Sequence, residues 1–170
     1  MEIPSKIMDS LKRKRGNISE IKITEETNKD GINLFYARVS KFEEKKDDKY
    51  SNMATYYAFD PKGNYVGAVI VVVEDLNTVE MEYYADAFYK HKGNIRIVAK
   101  EVIKEIFEEK VFDLLKVDNN VPRTNIEKIK VVINENNYDS LKLALKLGFD
   151  ENGYLSIDDY REAYQKRLGI

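Results

Sequence analysis

Three stretches of this chain carry residues whose types and spacing could do chemistry. The first is a pair of carboxylates, Glu80 and Glu82, in a segment that reads as a strand from Thr78 to Asp86. A spacing of two places both on one face of a sheet. A carboxylate there can act as a general acid or base, directly or through water. The second stretch is YKHKGNIRI, residues 89–97, where Lys90, His91, Lys92 and Arg96 surround Gly93. A glycine turn that opens a helix offers free main-chain N–H groups and the positive end of the helix dipole to an anion. The third is NYDSLKLALKLGF, residues 137–149. Asp139 or Ser140 can cap its start, Gly148 suits the left-handed residue past its end, and Phe149 supplies the closing apolar contact. Taken alone, it is a well-capped helix.

Composition narrows what else the chain can be. It has 170 residues, 43% hydrophobic and 34% charged, with a formal net charge of -2. That is enough for one domain with a sizeable core, and the charge balance does not indicate a nucleic-acid binder. There is no cysteine, hence no disulfide, thiolate metal site or thiol nucleophile. The one histidine, His91, argues against a His-rich metal site and against a Ser-His-Asp triad. No metal is expected. No segment reads as a signal peptide or a membrane span, so a cytoplasmic, soluble protein is expected.

The elements that must position these residues follow from periodicity. Residues 4–15 read as a short basic helix ended by Gly16-Asn17. Ile18 to Thr24 and Ile32 to Phe42 read as strands joined at the turn Asn28-Lys29-Asp30-Gly31. KFEEKKDDKY, residues 41–50, reads as a solvated charged loop, with a lid over substrate as the functional alternative. Ala54 to Asp60, Tyr65 to Val73 and Thr78 to Asp86 form an antiparallel meander, turned at Pro61-Lys62-Gly63-Asn64 and Asp75-Leu76-Asn77. Ile95, Val98, Ala99, Val102, Ile103, Ile106 and Phe107 then recur at helical steps. Lys100, Glu101, Lys104, Glu105 and Glu108 fall largely on the wet side of that helix. A loop at 116–126, a strand from Ile129 to Ile133 and the capped helix follow. The tail, Leu155 to Leu168, reads slightly better as helix than as strand.

Asn137, Ser140, Leu143, Lys146, Leu147, Gly148 and Phe149 match Asn-x-x-Ser-x-x-Leu-x-x-Lys-Leu-Gly-Phe. This resembles the closing motif of the GNAT superfamily, the acyl-CoA-dependent N-acetyltransferases. Lys90-His91-Lys92-Gly93-Asn94-Ile95 is similar to that family's Arg/Gln-x-x-Gly-x-Gly/Ala loop. Lys90 stands for Arg or Gln, and Ile95 brings a β-branched side chain to the place of Gly or Ala, where the backbone approaches phosphates. The order meander, loop, long helix, strand, closing helix also matches, over about residues 54–168. Residues 1–53 are divergent.

The resemblance implies a single domain over 1–170 of mixed α+β class. Its central sheet is mostly antiparallel, with a V-shaped splay between two middle strands and flanking helices. It implies acetyl-CoA (coenzyme A) as cofactor, bound by His91, Lys92, Gly93, Asn94, Ile95 and Arg96 at the phosphates. Tyr83, Tyr84 and Ala85 would hold the pantetheine arm, with Asn137 and Ser140 at the closing helix. It implies acetyl transfer to a primary amine by direct attack, with Glu80 or Glu82 as candidate catalytic general base. The acceptor would be a small amine, a peptide N-terminus or a lysine, and the family leaves room for a homodimer. The tail would then form strands. The family's thiolate-protonating Tyr corresponds to Ala144. This departure and Ile95 motivate a second reading, a GNAT-fold binding or regulatory module without catalysis. A third is an unrelated α+β interaction domain.

Overall fold

The computed structural model describes residues 2–44, 50–74, 77–112, 125–134 and 136–165, with side chains left aside at 41–44, 50–52 and 165. The chain opens with α1 (Ser5–Lys12) and two short strands, β1 (Asn17–Ile18) and β2 (Lys22–Ile23). Four longer strands follow: β3 (Phe35–Glu44), β4 (Tyr50–Phe59), β5 (Tyr65–Val73) and β6 (Thr78–Ala85). Then come α2 (Asn94–Phe107), β7 (Lys128–Val131), α3 (Tyr138–Leu147), β8 (Tyr154–Ser156) and α4 (Ile157–Tyr160).

The strands form one sheet in the order β1-β3-β4-β5-β6-β7-β8, with β2 also paired to β3. Every pairing is antiparallel except β6 with β7. The expected meander is therefore present, and so is the turn at Asn28–Gly31, where Gly31 N–H donates to Asn28 C=O at 3.0 Å.

Register assigns the two faces. Val39, Thr55, Ile70 and Glu82 lie opposite one another across β3 to β6. On this face α1 buries Ile7 and Leu11 against Phe35, Ala37, Val39 and Phe59. Arg38, Tyr56, Val69 and Tyr83 lie in register on the other face. There α2 buries Ile97, Val98, Val102, Ile103 and Ile106, and α3 adds Ala144 and Leu147 to the same core. Each buried branched side chain contributes about 1.5–3 kcal/mol relative to exposure, so packing rather than propensity holds α2 in place.

Four expectations need correction. Residues 41–44 are not loop: they continue β3, which pairs with β4 from Phe35↔Phe59 to Glu44↔Tyr50. The ladder satisfies the backbone groups of these residues. Residues 45–49 of that charged run lie outside the described residues, as does most of the 116–126 loop, and Tyr50 opens β4. The strand expected from Ile18 to Thr24 is two short pieces on either side of 19–21. Glu105 is not on the wet side of α2. It is 4% exposed and meets the Arg38 guanidinium at 2.6 Å, because α2 lies flat on a sheet face that carries a cation. The tail is strand only at β8, which pairs with β7. Beyond it Ser156 caps a helical turn, accepting from Asp159 N–H at 3.1 Å, as the helical pattern of Tyr160 and Tyr164 favours.

Candidate functional site

β6 and β7 run side by side only from Thr78↔Lys128 to Met81↔Val131. The last bond between them is Val132 N–H to Met81 C=O, 3.1 Å. β6 continues to Ala85, still paired with β5 on its other edge through Tyr83↔Val69, Tyr84↔Ala68 and Ala85↔Gly67. Strand backbone groups alternate in direction. Since Met81 faces β7, Tyr83 and Ala85 face the opening beyond it. The two middle strands thus part at Met81, and an exposed strand edge can pair with amides of a ligand.

The start of α2 stands beyond the same end of β6, after a short 3₁₀ turn at Ala87–Tyr89. Gly93 is its N-cap, at φ 77°, and no side chain caps the helix. The first N–H groups of an α-helix have no acceptor within it. A Cβ on Gly93 would meet nothing nearer than Lys29 Cγ at 3.8 Å. His91 also has a positive φ, 66°. The loop's cations point partly elsewhere: Lys92 Nζ is 2.7 Å from Asp30 Oδ2, and Arg96 is 3.6 Å from Glu26.

Ile95 does not crowd the start of α2. It is 7% exposed and turns inward onto β5, where a Cβ on Gly67 would come within 2.4 Å of Ile95 Cδ1. The larger residue in the helix is accommodated by a missing side chain in the strand. A glycine inside a β-branched strand marks a close approach of this kind, and Gly67 carried that signal in the sequence.

Glu80 and Glu82 are half-buried and share a face, as their spacing requires. Burial raises the Glu80 pKa above the ordinary carboxylate value; the neighbouring Glu74 adds to this and Lys130, in register on β7, opposes it. Glu82 accepts a short hydrogen bond from the Tyr84 hydroxyl. Tyr83 turns to the opposite face, and its hydroxyl donates to Ser140 C=O at 2.6 Å. Burial pushes that phenol's pKa well above its usual value, so it stays a neutral donor.

The capping residue of α3 is Asn137, not Asp139 or Ser140: its Oδ1 accepts from Ser140 N–H at 3.2 Å. Gly148 ends the helix at φ 103°, and Phe149 N–H returns to Ala144 C=O at 3.0 Å. Ala144 is 5% exposed, and belongs to the core. The structure thus puts Tyr83 and Ala85 on the parted edge, joins Tyr83 to Ser140 at the start of α3, and sets Gly93 and Asn94 at the start of α2, with Glu80 and Glu82 on one face of β6. A cavity of about 420 Å³ lies elsewhere, between β2 and α2, lined by Lys22, Tyr36, Glu101, Glu105 and Glu109 among others, and takes in none of these residues. Sequence reasoning missed Asn28. Its amide donates to Asn94 Oδ1 at 2.8 Å, and no local pattern pairs residues so far apart.

No family model matches the chain, and no curated protein does. Solved structures do. A spermidine/spermine N-acetyltransferase from Vibrio cholerae, SpeG, matches with a TM-score of 0.51 at 15% identity, over 66% of this chain and 69% of that one. An acetyltransferase of the GNAT family from Bacillus anthracis matches with a TM-score of 0.47 at 17% identity, over 58% of this chain. The chain covers 52% of that protein's length, about half. The Campylobacter jejuni N-acetyltransferase PseH, solved with acetyl coenzyme A, matches with a TM-score of 0.44 at 20% identity, over 61% of this chain and 67% of its own. The chain has the GNAT acetyltransferase fold: a mixed, mostly antiparallel sheet parted between two middle strands and flanked by helices. No helix among the described residues is long and apolar enough to cross a membrane.

Proposed function

We propose that this protein transfers an acetyl group from acetyl-CoA to a primary amine by direct attack. The observation that carries the reading is the parting of β6 from β7 at Met81 beside an uncapped helix start. The residues there fit the two ends of such a cofactor. Main-chain N–H groups of Asn94, Ile95 and Arg96 suit a diphosphate, with Lys90 and Lys92 as the nearby cations. The open edge at Tyr83 and Ala85 suits the amides of a pantetheine arm, and a main-chain N–H on this edge can stabilise a developing oxyanion.

On the sheet face opposite α2, Glu80 is the candidate general base. Its raised pKa suits removal of a proton from an ammonium. Glu74, Glu80 and Glu82 give this face an acidic character, which favours a small cationic amine as acceptor over a neutral one. The similar V. cholerae protein is a spermidine/spermine N-acetyltransferase, which agrees with such an acceptor.

The reading is tested by mixing the protein with acetyl-CoA and a panel of amines and measuring release of the free thiol. Acetyl-amine must form one for one with CoA. Ala144, buried where the family places its proton donor, favours a second reading, a GNAT-fold module that binds acetyl-CoA without turnover. A melting temperature raised by millimolar acetyl-CoA, with no thiol release from any amine, would select it. No rise at all would count against both.

A further inference from the structure

The turn Asn28–Gly31 belongs to the N-terminal part of the chain, the part with no place in the resemblance. It lies against the loop that opens α2. Asn28 is fixed within the turn: its Oδ1 accepts from Asp30 N–H at 2.9 Å and Ile32 N–H at 3.0 Å, and its own N–H donates to Ile32 C=O at 2.8 Å. Its Nδ2 remains to donate to Asn94 Oδ1, 2.8 Å away. Asn94 is the first residue of α2 and only 4% exposed. Its own Nδ2 reaches Tyr89 C=O at 3.4 Å. One residue further along the turn, Lys29 N–H donates to Lys92 C=O at 2.9 Å.

These bonds fall where the backbone most needs them. His91 and Gly93 flank Lys92, and both have positive φ, 66° and 77°. A non-glycine residue in the left-handed region persists only where its surroundings over-determine it. The turn supplies that constraint on both sides of Gly93, by main chain to Lys92 and by a buried amide pair to Asn94. Resting on the reading of this loop as the diphosphate site, we propose that Asn28 is a positioning residue for acetyl-CoA. Through Asn94 it sets the direction of the main-chain N–H groups that meet the diphosphate.

The test is calorimetric binding of CoA, of adenosine 3′-phosphate 5′-diphosphate and of pantetheine to wild type, Asn28→Ala, Asn94→Ala and the double variant. Wild type binds CoA and the diphosphate nucleotide. Each single variant is expected to weaken both by about tenfold, the effect of stranding a buried amide, and to leave pantetheine unchanged. The double variant should lose less than the product of the two single losses, since both remove the shared Asn28–Asn94 bond. Losses that simply multiply, unchanged affinity in both single variants, or equal weakening of pantetheine would each overturn the proposal. If Asn28→Ala does not fold, Asn94→Ala carries the comparison, since it leaves the turn intact. A wild type that binds neither CoA nor the nucleotide sinks the assignment of the site itself.

Discussion

The Tyr83 hydroxyl donates to the Ser140 carbonyl at 2.6 Å, joining β6 to the first turn of α3 across the opening where β6 and β7 part. Within the helix, the Ser140 carbonyl also faces the amide of Ala144, four residues on. The bond therefore holds the turn containing Ala144 against the strand edge. Tyr83→Phe keeps the ring and removes the bond. It should cost about 1 kcal/mol, or about 2–4 °C in melting temperature for a chain of this size, and weaken CoA severalfold. Calorimetric titration and a melting curve check both numbers. Unchanged CoA affinity would show that this contact does not shape the opening.

Gly67 and Ile95 are a matched pair. Gly67→Ala places a methyl group 2.4 Å from Ile95 Cδ1 and 2.5 Å from the Tyr84 carbonyl. Overpacking of this kind costs about 1–3 kcal/mol. Ile95→Ala removes buried apolar volume and should cost about 2–5 kcal/mol without tightening CoA. If Ile95→Ala instead tightens CoA, the side chain crowds the phosphates and its inward placement is wrong.

Glu80 gives a pH dependence with a definite sign. The base must be ionised to act, and its pKa lies above the ordinary carboxylate value, through burial first and Glu74 second. Activity should therefore fall, as pH drops, at a higher pH than an unperturbed glutamate would give. Glu74→Gln removes a neighbouring negative charge and should move that acidic limb down. Glu80→Gln should abolish the limb together with most of kcat. A limb unmoved by Glu74→Gln would point to another base.

Lys92 and Asp30 form an exposed pair, 44% and 47% accessible in their side chains. Such pairs contribute little to stability. Asp30→Asn should leave the melting temperature within about 1 °C. It should also free Lys92 for a phosphate, so that CoA binds severalfold tighter and with a steeper salt dependence, read from titrations at two ionic strengths. Weaker binding would mean that Asp30 holds Lys92 toward the ligand rather than away from it.

What could be read from the sequence depended on range. The meander, α2 and α3 announce themselves through periods of two and of three to four residues and through local caps such as Asn137 and Gly148. Glu80 and Glu82 follow from that same short-range logic. Glu105 did not, since its burial depends on Arg38, a partner far away in the chain. Asn28 looked like an ordinary turn residue until its amide met Asn94. The inward turn of Ile95 required a glycine on another strand. Long-range pairs of this kind leave no period to detect, and they account for most of what the structure adds at the site.

The central claim is that the opening between β6 and β7 holds the pantetheine arm while the start of α2 holds the diphosphate. A crystal structure with acetyl-CoA tests it most directly. The account predicts the diphosphate on the N–H groups of Asn94, Ile95 and Arg96, and the arm paired with the edge at Tyr83 and Ala85 beyond Met81. A cofactor bound away from that opening, or an empty opening at saturating acetyl-CoA, would contradict it.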